Sequence, residues 1–120
     1  MKSIRYAFRR PRFPMICAID GYLIGVQSPA SLQRRLAALD LSGDKNIRLV
    51  DANGENWMLL PEELIVAPAF ATRTWRKIEI IRLFNESRNA KESGRRYPER
   101  VIPNRRLDTI VRDIAGLISG

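Results

Sequence analysis

The spacing of apolar positions changes period several times along this chain, and the changes divide it into elements. Residues 15–26, MICAIDGYLIGV, are two apolar runs on either side of Asp20-Gly21. An Asp-Gly pair accepts the positive φ angles of a type I′ turn, so the stretch predicts a two-residue β-hairpin. Its register follows directly. Ile19 faces Tyr22, Cys17 faces Ile24 and Met15 faces Val26, while Ile16, Ala18 and Leu23 lie on the reverse side. Both sides are apolar, which places the hairpin in the middle of the fold, covered twice.

The period then lengthens. In SPASLQRRLAALDL, Ser28 can cap a helix, Pro29 suits its first position, and Leu32, Leu36 and Leu39 share one face. The segment SGDKN, residues 42–46, ends it. A second hairpin is predicted in NIRLVDANGENWMLL, turning at Asn53-Gly54. That turn sets Val50 against Trp57 and Arg48 against Leu59, and makes Ile47, Leu49, Met58 and Leu60 the core side. After Pro61, EELIVAPAFA fits either a helical turn or an extended crossing closed by Pro68.

Two further helices complete the reading. The first spans 74–92, capped by Thr72 or Thr74 and stopped by Gly94, with Ile78, Ile80, Ile81 and Phe84 on a wide arc and Trp75 and Leu83 flanking it. Ile80-Ile81 also suit a strand. The second spans 104–118, where Leu107, Ile110, Val111, Ile114, Leu117 and Ile118 form a stripe and Arg105, Asp108, Arg112 and Asp113 face away. The intervening RRYPERVIPN is a basic, proline-interrupted loop. The expected fold is one α+β domain over 1–120. Residues 1–13 are a basic arm or an edge strand, 14–70 a ββαββ unit with an antiparallel or mixed sheet, and 71–120 two helices.

Composition narrows the class. A chain of 120 residues, 45% hydrophobic, can bury a core without covalent staples. Its one cysteine, Cys17, excludes an internal disulfide and suits a reducing compartment. No apolar run approaches the roughly 18–20 residues that cross a bilayer. Asp20 interrupts the run that follows the basic N-terminus, which argues against an export signal. A cytoplasmic location with no membrane partner is expected.

Charge is unevenly spread about the net +8. Residues 1–14 hold five bases and no acid, residues 15–70 four bases and seven acids, and residues 71–120 twelve bases and six acids. Arginine outnumbers lysine 17 to 4. Guanidinium groups suit bidentate contacts to phosphate or carboxylate, although a GC-rich genome yields the same bias.

Candidate chemistry is sparse. With no histidine, the commonest general base and metal ligand is missing. Cys17 sits in an apolar strand with no base nearby, as a structural cysteine would. One cysteine and no histidine cannot make a structural zinc site. Asp51, Glu55, Glu62 and Glu63 offer oxygen ligands, but acids at turns and helix starts explain them more simply. No phosphate loop or nucleophile elbow is present. The chain is expected to be a non-catalytic binding protein with no cofactor and no metal.

Two kinds of partner fit. The first is a polyanion such as nucleic acid, met by Arg5, Arg9, Arg10 and Arg12 and continued by Arg73, Arg76, Lys77, Arg95, Arg96, Arg105 and Arg106, with Trp75, Tyr97 and Phe13 as stacking surfaces. Against it stands the reading of these arginines as a solvated surface paired with Glu79, Glu86, Glu92 and Glu99. The second is a protein partner, such as a toxin neutralised by an immunity protein. It would be met by the acidic middle: Asp40, Asp44, Asp51, Glu55, Glu62 and Glu63, with Trp57 as anchor if exposed. The strong positive charge disfavours a nuclease as that target.

Overall fold

The first hairpin forms as its Asp-Gly pair dictates. In the computed structural model, which describes residues 3–39, 47–69 and 72–118, strands β2 (Met15–Ile19) and β3 (Tyr22–Val26) pair Ile19 with Tyr22, Cys17 with Ile24 and Met15 with Val26. Asp20 and Gly21 both take positive φ, 50° and 89°, the signature of a type I′ turn. As the alternation requires, Met15, Cys17 and Val26 enter one apolar cluster and Ile16, Ala18 and Leu23 another.

This hairpin sits at one end of a six-stranded mixed sheet. The other strands are β1 (Arg5–Tyr6), β4 (Ile47–Val50), β5 (Asn56–Leu60) and β6 (Ile65–Pro68), in the order β1-β6-β5-β4-β2-β3. Only β1 and β6 run parallel; the other neighbours are antiparallel. The ambiguous stretch after Pro61 is therefore a strand, folded back on β5 through a turn in which Leu64 takes φ 53°. The N-terminal stretch is an edge strand and not a free arm.

The second hairpin departs from its predicted register by one residue. Leu49 pairs with Trp57 and Val50 with Asn56, so Leu49, Trp57 and Leu59 share one side while Met58 and Leu60 turn to the other, each about two-fifths exposed. The reason lies at Asp51. Its backbone N–H donates to Glu55 O, and Gly54 N–H donates to Asp51 O, which closes a three-residue loop in place of the two-residue one. A buried Asp51 carboxylate holds that loop: Oδ1 accepts from the N–H groups of Asn53 and Glu55, and Oδ2 from Arg12 N–H and Trp57 Nε1. A one-residue slip exchanges the two sides of a strand, so Met58 and Leu60 leave the core.

Helix α1 (Pro29–Ala37) begins as read, with the Ser28 side chain accepting from Ser31 N–H and Pro29 at its first position. It buries Leu32 and Leu36 against Met15, Val26, Leu49, Trp57 and Val66; Leu39 lies beyond its end and is exposed. Residues 42–46, assigned as its stop, fall outside the described residues. The opposite side of the sheet is covered by α2 (Lys77–Asn85), α3 (Arg88–Ser93) and α4 (Leu107–Ile118).

The predicted helix 74–92 is two helices. Ser87 ends the first and caps the second, its hydroxyl accepting from Ala90 N–H. The start of α2 is held by Glu79, whose carboxylate accepts from Arg76 N–H, and neither Thr72 nor Thr74 caps it. Gly94 stops α3 in the left-handed conformation, as expected. A 3-10 turn occupies Glu99–Asn104 within the predicted loop.

Helix α4 buries Ile110, Val111, Ile114 and Ala115 completely, worth about 1.5–3 kcal/mol for each large side chain. Its backbone nearly touches β3. A methyl group on Gly25 would stand 2.1 Å from the Ala115 carbonyl oxygen, so only glycine admits the helix here.

A side-chain amide bonds the backbone at each edge of the sheet. On β3, Leu23 N–H donates to Asn89 Oδ1 and Leu23 O accepts from Asn89 Nδ2, at 2.7 and 3.0 Å. On β1, Ile4 N–H donates to Gln33 Oε1. Unpaired edge groups recruit further strands, and here α3 and α1 occupy them.

Candidate polyanion-binding surface

The N-terminal basic stretch is stitched down along its length. Arg5 N–H donates to Leu64 O and Ala7 N–H to Val66 O, while Ile4, Tyr6 and Phe13 pack inward. Arg9 lies over the Trp57 ring and ion-pairs with Glu55. Arg10 lies over Tyr6. At Arg12 the backbone bonds Asp51 and Ala52, and the guanidinium reaches Asn53 and Asp108. Phe8, by contrast, is 83% exposed.

The tip of the second hairpin gathers the rest. Trp75 N–H donates to Gly54 O at 2.7 Å, and Leu107 packs over Gly54. The segment 73–77 and the start of α4 therefore meet the N-terminal stretch at one end of the molecule. Asp108 is shared there by Arg12 and Arg106, and Glu79 by Arg73 and Arg76. Lys77 Nζ donates to Ile102 O.

Among the described residues this end gathers Arg9, Arg12, Arg73, Arg76, Lys77 and Arg106, with Arg48 over the Trp75 ring, against the carboxylates of Asp51, Glu55, Glu79 and Asp108. The five ion-paired arginine side chains remain between 46% and 80% exposed. Salt bridges this exposed contribute little to stability, yet they order the guanidinium groups. Glu79 records the local field: hydrogen bonds from the Arg73 side chain, then from Arg76 N–H, bring its carboxyl down to about 2.

Other candidate residues lie apart. Arg95 lines a shallow groove with Leu117 and Ile118, at the far end of α4 from Asp108, a helix length of about 18 Å away. Arg96 is exposed beside it in sequence. Arg105 is tied to Asp113 and to the Tyr97 hydroxyl. Tyr97 itself is buried, its hydroxyl donating to Asp113, and burial followed by that bond raises its pKa. Trp75 is half-buried, with Arg48 over its ring and its Nε1 donating to Asn56. With Phe13 packed on the core, the three proposed stacking rings are engaged in the fold.

The residues read as a protein interface divide in the same way. Trp57 and Asp51 are 2% and 1% exposed, so the proposed anchor is inside. Glu55 is held by Arg9. Glu62 and Glu63 are exposed in the turn between β5 and β6, and Asp40 and Asp44 fall outside the described residues.

Among the described residues, no cluster of acids and cysteine is arranged to hold a metal ion, and no helix is long and apolar enough to cross a membrane. Cys17 is buried, and that burial pushes its thiol up to about 12, far from a reactive thiolate. Comparison with protein-family models, curated proteins and solved structures finds no match to this chain.

Proposed function

We propose that this chain is a non-catalytic binding protein for a polyanion, nucleic acid being the class its chemistry suits best. The observation that carries the reading is the meeting of three sequence-distant basic segments at one end, with cations in excess and carboxylates shared between arginines. A guanidinium that shares its carboxylate keeps N–H donors for a phosphate, and an ordered guanidinium loses less entropy on binding. Arg5, Arg10 and the net charge of +8 extend the attraction beyond the contact itself. Arg95 and Arg96 stand outside this surface. A protein partner met through the acidic middle has weaker support, because its aromatic anchor lies in the core.

Fluorescence anisotropy with a labelled oligonucleotide tests the reading. Affinity should fall steeply between about 50 and 200 mM salt, with a slope set by the number of phosphates neutralised. Replacing Arg73, Arg76 and Arg106 together by alanine should flatten that slope by roughly two to three. Absence of binding at micromolar protein, or affinity indifferent to salt, overturns the proposal.

A further inference from the structure

The ring of Phe8 stands in solvent on a turn that holds it there. Phe8 takes φ 72°, and Arg9 N–H donates to Ala7 O across it at 2.9 Å. A bond between residues i and i+2 around a positive φ is the rarer and more strained form of γ-turn. Bulky side chains avoid that region.

Both neighbours are fixed independently. Ala7 N–H is bonded into β6 at Val66 O, and Arg9 is clamped between the Trp57 ring and Glu55. The ring held on this turn is 83% exposed. Strain kept by its surroundings, beside a large exposed ring, is a feature from which a functional role is legitimately inferred.

The surroundings specify the ligand. Ile4, Arg5, Tyr6, Phe8, Arg9 and Arg10 line one open groove, and Arg5 and Arg10 are exposed beside the ring. Rings set among guanidinium groups suit a chain that alternates flat apolar faces with phosphates. A duplex hides its base faces within the stack, whereas a single strand can offer one to an exposed ring. We infer that Phe8 is a preformed stacking platform for an unpaired base of single-stranded nucleic acid, with adjacent phosphates on Arg5 and Arg10. This rests on the polyanion reading and makes it narrower.

The test uses the full chain, a fluorescein-labelled mixed-sequence 15-nucleotide strand and the same sequence as a duplex, read by anisotropy at two salt concentrations. The wild type should prefer the single strand. Phe8→Ala and Phe8→Gly should each weaken single-strand binding by about 10- to 100-fold while leaving the salt dependence unchanged, and Phe8→Trp should bind like the wild type. Phe8→Gly should also melt at or above the wild-type temperature, because glycine accepts the positive φ; its lost affinity is then not lost folding. Salt-sensitive binding that survives Phe8→Gly in full overturns the stacking role and leaves the polyanion reading standing. Equal affinity for duplex and single strand overturns the choice of a single strand. Absence of salt-sensitive binding to either overturns both readings.

Discussion

Two hairpins in this chain carry the same written signal, an Asp or Asn followed by Gly between apolar runs, and they close differently. At Asp20-Gly21 the dipeptide sets the geometry of the turn: two exposed residues at positive φ, with the register fixed by their number. At Asn53-Gly54 only the glycine is left-handed, φ 77°, and a residue two positions earlier governs. Asp51 collects donors from its own loop, from the indole of Trp57 and from Arg12, 39 positions away. Both glycine carbonyls accept an N–H from a distant segment, Gly21 O from Arg88 and Gly54 O from Trp75; what sets the second turn apart is the buried carboxylate around which it is built. The second is also the one at which the candidate binding surface is assembled.

That contrast can be broken at several points. The largest effect is expected at Asp51. Asp51→Ala leaves four N–H donors without their acceptor in a buried site, and should cost about 3–5 kcal/mol in urea unfolding. Asp51→Asn keeps one acceptor oxygen and turns an NH₂ toward the other two donors, so roughly half that loss is expected. Equal stability of Asp51→Ala and wild type would remove the carboxylate from its governing place.

Gly54→Ala comes next. Its methyl group would meet Leu107 Cδ2 at 2.5 Å and Trp75 O at 3.1 Å, on top of an unfavourable φ, for an expected loss of about 2–4 kcal/mol. Gly21→Ala meets only the flexible Arg88 side chain, at 3.4 Å, so backbone strain alone should cost about 1 kcal/mol. If the two glycine variants lose equal stability in thermal melts, the distinction between the two turns fails.

The smallest effect is one of pH. Glu79 is depressed to about 2 in the folded chain, below its ordinary 4.5, so its contribution is complete above about pH 4.5 and fades as pH falls toward 2. Hydrogen-exchange protection of Trp75 N–H, next to that ion pair, should decline across this window, while protection in the first hairpin should not. Parallel behaviour of both hairpins would detach Glu79 from the second.

What could be read from the chain alone follows the same division. The first hairpin, the Ser28-Pro29 helix start, the Gly94 stop and the core of the last helix's stripe (Ile110, Val111, Ile114 and Ile118) all depend on residues within a few positions of one another, and each was legible. Leu117 of that stripe, however, is 40% exposed, and Asp108, read as facing away, is largely covered. The register of the second hairpin follows the buried Asp51 carboxylate, which takes one of its four donors from Arg12, and nothing near Asp51 in sequence announces that burial. Ser87 carried a readable cap signal, but Ile80, Ile81 and Phe84 continue the helical period into it and concealed the break.

The candidate surface divides likewise. Arg73 and Arg76 lie within six residues of Glu79, so their pairing was open to anticipation. The sharing of Asp108 by Arg12 and Arg106 spans 96 positions on one side and needed the fold. Ile4, Tyr6 and Phe8 alternate as strand residues do, which hides the exposure of Phe8. Pro11, three positions on and without an N–H to donate, was the available hint that the alternation would not continue.

The amides of Asn89 and Gln33 have a consequence for the protein in concentrated solution. A primary amide carries a peptide group's donor and acceptor on a side chain, so Asn89 works against Leu23 as a neighbouring strand one residue long. Having no charge to gain or lose, it keeps that role in acid and in base alike, unlike a carboxylate or an ammonium group. Deamidation would turn it into an acceptor alone and release Leu23 O for another molecule. One asparagine side chain thus stands where a further strand would otherwise pair.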